Sequence, residues 1–457
     1  MSIIPNWLRR GAHAGGGDGL EKTKLTLGFI PLTDCAPLVV AKERGYFAKA
    51  GLDVELSKET SWANVRDKVG IGILDGAHML APMPLAASLG LGPSQKPTVT
   101  ALSLDLNGNA ITVSQALYER MRELDAGALT HRPFSAQALA RVIAERRERG
   151  GRPLTFAVVY PLSTHAYELR YWLGAAGIDP DRDLNLVVVP PPQMVTQLRA
   201  GNVDGFCVGE PWSSVAVAEG LGRVLITNHE LWNNNPEKVF GVNLEWAEQY
   251  PRTHRAVLTA LLEAARWTDA HENRPAVAEL IAQARYINAP VETVRQSMTG
   301  TFRYALDEAP VAMPDFNVFF RFAATFPWRS HAVWFLTQML RWGQIDRAID
   351  LSAAAEACYR PDLYRDAADA LGLAVPTVDY KPEGRHARGW MLTDATSPIA
   401  MGPDRFFDGR GFDPADPVSY LAGFDVHHLG VSLANLAAAN TGPASGTAPG
   451  TAPATTG

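Results

Sequence analysis

Between residues 24 and 104, short apolar runs alternate with helix-favouring segments, and this alternation constrains the fold more than any other feature of the chain. Strands are predicted over 25–30, 52–56, 75–80 and 98–104. Asp34 stands where its carboxylate would cap the first intervening helix, which ends near Gly45. A second helix opens at Trp62, and a third at Pro82-Met83-Pro84, prolines being tolerated in a first turn. Asn107-Gly108-Asn109 is a turn signal, and there the chain is expected to cross to a second lobe. The alternation then resumes, with strands over 110–114, 154–159, 185–189, 205–208 and 224–227 and helices from Ser135 and Thr164. The run 238–242 is expected to cross back. Repeated units of this kind predict an α/β protein with two parallel-sheet lobes and a cleft between them.

A chain of 457 residues is too long for one compact core and suffices for two or three domains. Beyond Tyr250 helix signals dominate, as in 254–271, where Val257, Leu258, Leu261, Leu262 and Ala265 form one stripe. The expected division is a flexible N-terminus over 1–22, a first lobe over 23–106 plus 239–360 with a helical extension, and a second lobe over 107–238. An irregular C-terminal extension over 361–436 packs on the lobes, and the Ala/Thr/Gly/Pro tail over 437–457 is expected to be disordered. A net charge of −6 argues against a basic nucleic-acid surface, and no apolar run is long enough for a membrane span. Cys35, Cys207 and Cys358 are odd in number and widely spaced, which fits a reducing compartment. Arg9-Arg10 is not followed by the apolar stretch of an export signal, so a cytoplasmic location is expected.

Enzyme signatures are missing: there is no GxGxxG, P-loop, GxSxG or HExxH. The histidines lack metal-ligand spacing, so neither a metal nor another cofactor is expected. Cys35, near a helix start, reads as a buried structural cysteine rather than a reactive one. Polar groups suited to a cleft do fall at strand ends and crossings: Trp62 at a helix start, Asn109 after the crossing turn, His165 where a helix begins, Gly209 before Glu210-Pro211-Trp212, and Lys238 at the return crossing. An aromatic face, an amide, an imidazole, a closely approachable backbone and an ammonium suit a small, flat, weakly hydrated anion. Taken singly, each has a structural alternative: His165 as a cap or core histidine, Lys238 as a surface lysine, Asn109 as a turn former, Trp62 as core.

At these same residues the chain resembles the nitrate-binding family of ABC-transporter solute receptors. The resemblance rests on Gly28-Phe29-Ile30-Pro31-Leu32-Thr33-Asp34-Cys35-Ala36-Pro37, on Ser61-Trp62-Ala63-Asn64-Val65-Arg66-Asp67-Lys68 and on Asp75-Gly76-Ala77-His78-Met79-Leu80-Ala81-Pro82. It continues through Thr164-His165, Arg170-Tyr171-Trp172-Leu173, Gly209-Glu210-Pro211-Trp212 and Pro236-Glu237-Lys238-Val239-Phe240-Gly241, and covers roughly residues 24–360. It implies a two-lobed, periplasmic-binding-protein-like α/β fold (type II) with a mostly helical C-terminal extension, closing on nitrate or nitrite. By match to the family pattern Trp62, His165, Gly209 and Lys238 would touch the anion. Asn109 would do so with a shorter arm than the glutamine of transport members. In related bicarbonate receptors the position of Lys238 is acidic and helps hold calcium, so a lysine here implies nitrate or nitrite.

Without an evident export signal, the chain is most similar to the cytoplasmic nitrate/nitrite sensors of this family (NasS type). That resemblance implies an ANTAR-domain, RNA-binding antiterminator as protein partner, held inactive and released by the anion, with no direct nucleic-acid contact and no membrane insertion. A substrate receptor meeting an ABC-transporter permease is the alternative. An enzyme of the thiamine pyrimidine-precursor type would need an active-site His/Cys set and pyridoxal phosphate.

Overall fold

The computed structural model describes residues 19–92 and 96–440. The N-terminal stretch expected to be flexible lies outside them up to residue 18, as does the tail beyond 440. Residues 437–439, expected to be disordered, instead close the helix Leu433–Ala439, which Ser432 caps. Leu436 of that helix is fully buried, and burying it stabilises a turn that composition alone would leave unformed.

The first lobe is built on strands β1 (Lys24–Phe29), β2 (Asp53–Lys58), β3 (Gly76–Leu80) and β4 (Thr98–Ser103), joined by β11 (Lys238–Asn243) in the order β2-β1-β3-β11-β4. Helices α1 (Ala36–Glu43), α2 (Tyr46–Lys49), α3 (Trp62–Gly70) and α4 (Pro82–Ser88) connect the strands. The second lobe holds β6 (Asn109–Ser114), β7 (Leu154–Val158), β8 (Leu184–Val188), β9 (Gly205–Gly209) and β10 (Gly222–Thr227), in the order β10-β6-β9-β7-β8. Its helices include α5 (Gln115–Asp125), α6 (Gln137–Glu148) and α7 (Thr164–Gly174).

The sheets are mixed rather than parallel, which corrects the sequence expectation. β11 runs antiparallel to β3 and β4, and β6 runs antiparallel to β9 and β10. The reason is topological. These two strands enter from the other lobe, so they start at the edge where their neighbours end, whereas strands connected by helices within a lobe all run one way. The carboxyl ends of β1, β2, β3, β7 and β9 and the first residues of β6 and β11 therefore meet along the same cleft.

The core is continuous through both lobes and the extension. In the long helix Pro251–Asp269 the predicted stripe of Val257, Leu258, Leu261, Leu262 and Ala265 is fully buried. The helix Arg329–Arg341 is buried from Ser330 onward and packs on both α4 and α7, so it touches both lobes. The extension also straps both crossings. Asn317–Val318 pairs antiparallel with β5 (Leu106–Asn107) in the first crossing. In the second, Asn234 Nδ2 donates to Pro403 O at 2.7 Å and Trp232 stacks on Phe406 at 4.5 Å. Asn107 and Asn234 both take positive φ, 64° and 57°, a backbone that asparagine tolerates better than bulkier residues. Among the described residues, no helix is long and apolar enough to cross a membrane.

Candidate functional site

Lys238, the first residue of β11, carries its ammonium into a fully buried cluster at the cleft. Its Nζ lies 2.7 Å from Asp34 Oδ2 and forms a second ion pair with Glu237. The other Asp34 oxygen lies 2.8 Å from His78 Nε2. Asp105 Oδ1 accepts the Lys238 backbone N–H at 3.0 Å. The Trp62 ring covers this group from one side, its centroid 5.6 Å from Lys238 Nζ and 5.3 Å from the His78 ring. Trp62 is buried: Ser61 caps α3, accepting the Asn64 N–H at 3.2 Å, and so turns the first helical residue inward.

The second lobe supplies the opposite wall. Ser163 caps α7 at Ala166 N (3.0 Å), which sets His165 on the buried side, 3.2 Å from Glu237 Oε1. Asn109 and Gly209 are paired across β6 and β9. A side chain at Gly209 would meet Asn109 Oδ1 at 3.3 Å and Leu32 at 3.4 Å, a tight fit that favours glycine where the lobes approach. Glu168, one turn beyond His165 on α7, accepts from Asn109 Nδ2 at 3.1 Å. The walls are pressed together: Thr33 N donates to Glu210 O at 2.8 Å, Trp212 Nε1 to Pro31 O at 3.2 Å, and Arg66 Nη1 to Tyr160 Oη at 2.8 Å.

All five sequence candidates thus lie along one buried seam, with Trp62, His165 and Lys238 in one cluster and Asn109 and Gly209 beside it. The carboxylates were not anticipated. Asp34 does not cap α1, since its oxygens are taken by Lys238 and His78. One available signal was the lone charge of Asp34 in the apolar run 29–41, because a buried charge requires partners.

Electrostatics separate the walls. Burial alone would raise the Asp34 pKa, but Lys238 and His78 outweigh it and hold the carboxyl well below its usual range. Burial opposes the Lys238 charge, yet Asp34, Glu237 and Asp105 keep the ammonium firmly protonated. Asp105 is pushed up by burial and by the charge of Asp34. Burial, opposed by Glu237, lowers His165 to about 4, so its imidazole is neutral near pH 7. Cys35 is buried and its thiol is pushed up by burial, in keeping with a structural role. Several buried polar atoms find no protein hydrogen-bond partner: Trp62 Nε1, both His165 ring nitrogens, Asn109 Oδ1 and Ser213 Oγ. The indole N–H can only donate, so it suits an acceptor such as an oxyanion.

A model of the NMT1-like family matches residues 18–282. The nitrate/nitrite binding protein NrtA of Synechococcus elongatus is 37% identical over 420 residues, which span 89% of this chain and 87% of the relative. The nitrate import ATP-binding protein NrtC of Synechocystis sp. is 42% identical over 418 residues, 91% of this chain. The match covers 57% of NrtC, little more than half its length. The crystal structure of the periplasmic nitrate-binding protein NrtA from Synechocystis PCC 6803 superposes with a TM-score of 0.78 at 32% identity, over 90% of this chain and 100% of that one.

Proposed function

This chain belongs to the NMT1-like family, within the group of NrtA-like solute-binding proteins, and from that membership and the buried site we propose that it binds nitrate or nitrite between its lobes. One observation carries the reading. A buried ammonium, an indole N–H without a protein acceptor and an imidazole that lies near Glu237 but forms no aligned hydrogen bond converge at a single seam. A planar oxyanion can accept from all three, and the Trp62 ring covers a flat, weakly hydrated ion better than a strongly hydrated one. The chemistry is recognition rather than turnover. No step requires a nucleophile, and the buried thiols are held protonated.

The finer reading is a cytoplasmic sensor. In the open form the chain would hold an ANTAR-domain, RNA-binding antiterminator, and closure on the anion would release it. For that switch the anion must bind the closed form far better than the open one. Two observations support it. The chain is similar to part of an import ATP-binding protein, and ATP is consumed on the cytoplasmic side of a membrane. The extension straps both crossings, so lobe rotation would reach a surface remote from the anion. Delivery of the anion to an ABC permease is the second reading, favoured by the likeness to the periplasmic NrtA.

Calorimetric titration with nitrate, nitrite, bicarbonate and chloride tests the ligand. Saturable binding of nitrate or nitrite is expected, with no comparable heat from chloride. A pull-down from nitrate-free cells then tests the role. Release of a small RNA-binding protein by nitrate or nitrite alone supports the sensor. Retention of a membrane permease would replace it with the transport receptor.

A further inference from the structure

A run of buried amides leads from the crossing strands to the site, and all but one of them have their orientation fixed by groups that can act in only one way. Asn235 Nδ2 donates to the carbonyls of Asn228 (3.0 Å) and Trp232 (2.9 Å), so its Oδ1 must face Asn228. Asn228 Oδ1 accepts the backbone N–H of Asn109 at 3.0 Å, so its Nδ2 must donate, to Asn235 Oδ1 at 3.1 Å and Glu168 Oε1 at 3.3 Å. Glu168 Oε1 is therefore an acceptor. Any proton on this acid sits on Oε2, which faces the Asn109 amide and, at 3.9 Å, Cys207 Sγ.

Only the Asn109 amide is left to choose, and the hydrogen-bond network decides which end points where. With Glu168 ionised, Asn109 must donate Nδ2 to it and turn Oδ1 toward Gly209 and the seam, where that oxygen has no protein partner. An acceptor there repels an oxyanion. With Glu168 protonated, its O–H donates to Asn109 Oδ1, and Nδ2 turns to the seam as a donor. We infer that Glu168 is a positioning residue whose proton sets the orientation of the Asn109 amide and so admits or rejects the anion. The inference rests on the anion reading above.

The surroundings favour the protonated form. Glu168 is fully buried, and burial together with the charge of Glu237 pushes it well above the usual carboxyl range, while Asn109, Asn228 and Lys238 pull the other way. The titratable groups facing it are Glu237 and Lys238 at the start of β11 and Cys207 on β9, with His165 one turn earlier on α7. Glutamine at position 168 would mimic the neutral acid permanently, its amide donating to Asn109 Oδ1 and its carbonyl accepting from Asn228.

Nitrate affinity is measured by calorimetry from pH 6 to pH 9 for the wild-type chain and Glu168→Gln, with circular dichroism to establish folding. The wild-type Kd is expected to rise about tenfold or more across this range, the scale of one hydrogen bond to a charged group. Glu168→Gln should bind at least as tightly as wild type at pH 6 and stay nearly flat. Superimposable profiles, or a flat wild-type profile, would overturn the role of Glu168 while leaving the anion site intact. No nitrate or nitrite heat from either protein at any pH would overturn the anion reading itself. Should Glu168→Gln not fold, the side-chain amide resonance of Asn109 in nitrate-free wild type decides: a change with pH supports the inference, and an invariant resonance sinks it.

Discussion

The first-lobe wall of the site is ionic and closed upon itself, with Lys238 held between Asp34 and Glu237 and Asp34 bridging to His78. The second-lobe wall is uncharged at His165 and made of amides, an imidazole and a glycine. Two designs for one ligand teach a division of labour. In the proposed anion site the ionic wall supplies the ammonium that would attract the ligand, while the carboxylates buried with it offset that charge. The neutral wall supplies direction, because amides and imidazoles specify which atoms of the ligand donate or accept. The second wall is pressed against the first, so on the anion reading affinity reports on both.

Removing the charge is the strongest way to break this contrast. Lys238→Ala leaves Asp34 and Glu237 buried without their cation. It is expected to lower unfolding stability by about 3–5 kcal/mol, measured by denaturant titration. Nitrate binding should weaken at least about a hundredfold by calorimetry, the range for truncating one partner of a buried charged pair. Lys238→Met combined with Asp34→Asn sharpens the comparison. The double variant should recover much of the stability and none of the affinity, whereas recovery of both would show that the ammonium only fills space.

Acid probes the second lobe next. His165 titrates at about 4 in the folded chain, against an ordinary value of 6.5. Between those values the unfolded chain holds more protons, so stability is full above about pH 6.5 and falls as pH drops toward 4. The loss is about 3 kcal/mol, since each tenfold change in proton affinity is worth about 1.4 kcal/mol. Glu210 has the opposite sign. Burial raises it to about 7 against the Ser214 hydrogen bonds, so its contribution is present below about pH 4.5 and is lost as pH rises through 7. His165→Gln should flatten the acid side of the stability profile, and Glu210→Gln should raise stability above pH 7 by about 3 kcal/mol. Thermal melts of the three proteins from pH 4 to pH 9 check both signs. Unchanged slopes in the variants would mean that these groups are hydrated in solution.

Much of this was legible in the sequence, for identifiable reasons. Buried strands such as 25–30 and 205–208 read as apolar runs, and the helices of Trp62 and His165 follow serines that cap them. The five candidates stood out because each falls where a strand ends or a crossing begins. Their charged companions did not, because pairing is not local: Asp34 meets Lys238 across some two hundred residues of chain, and to a local reading it looked like a cap. The antiparallel entry of β6 and β11 was missed for the same reason, since alternation of strands and helices is silent about the direction of a strand that arrives from elsewhere.

Trp62 packs on the ionic wall, against Lys238 and His78, and its substitution gives the smallest and most discriminating effect. The ring serves that wall in two ways: its face lies over the Lys238 ammonium, and its indole N–H is free to donate. Trp62→Phe keeps a face of similar kind and removes the donor. The cation–ring attraction alone is worth about 0.5–2 kcal/mol, so most of it survives in phenylalanine. A nitrate affinity reduced about threefold to tenfold, one neutral hydrogen bond, is therefore expected. If calorimetry shows no loss, the indole N–H is not a ligand donor and Trp62 acts on the anion only as a lid over Lys238. A loss as large as that of Lys238→Ala would instead mean that the ring sets the position of the ammonium, and that the ionic wall depends on its aromatic cover as much as on its carboxylates.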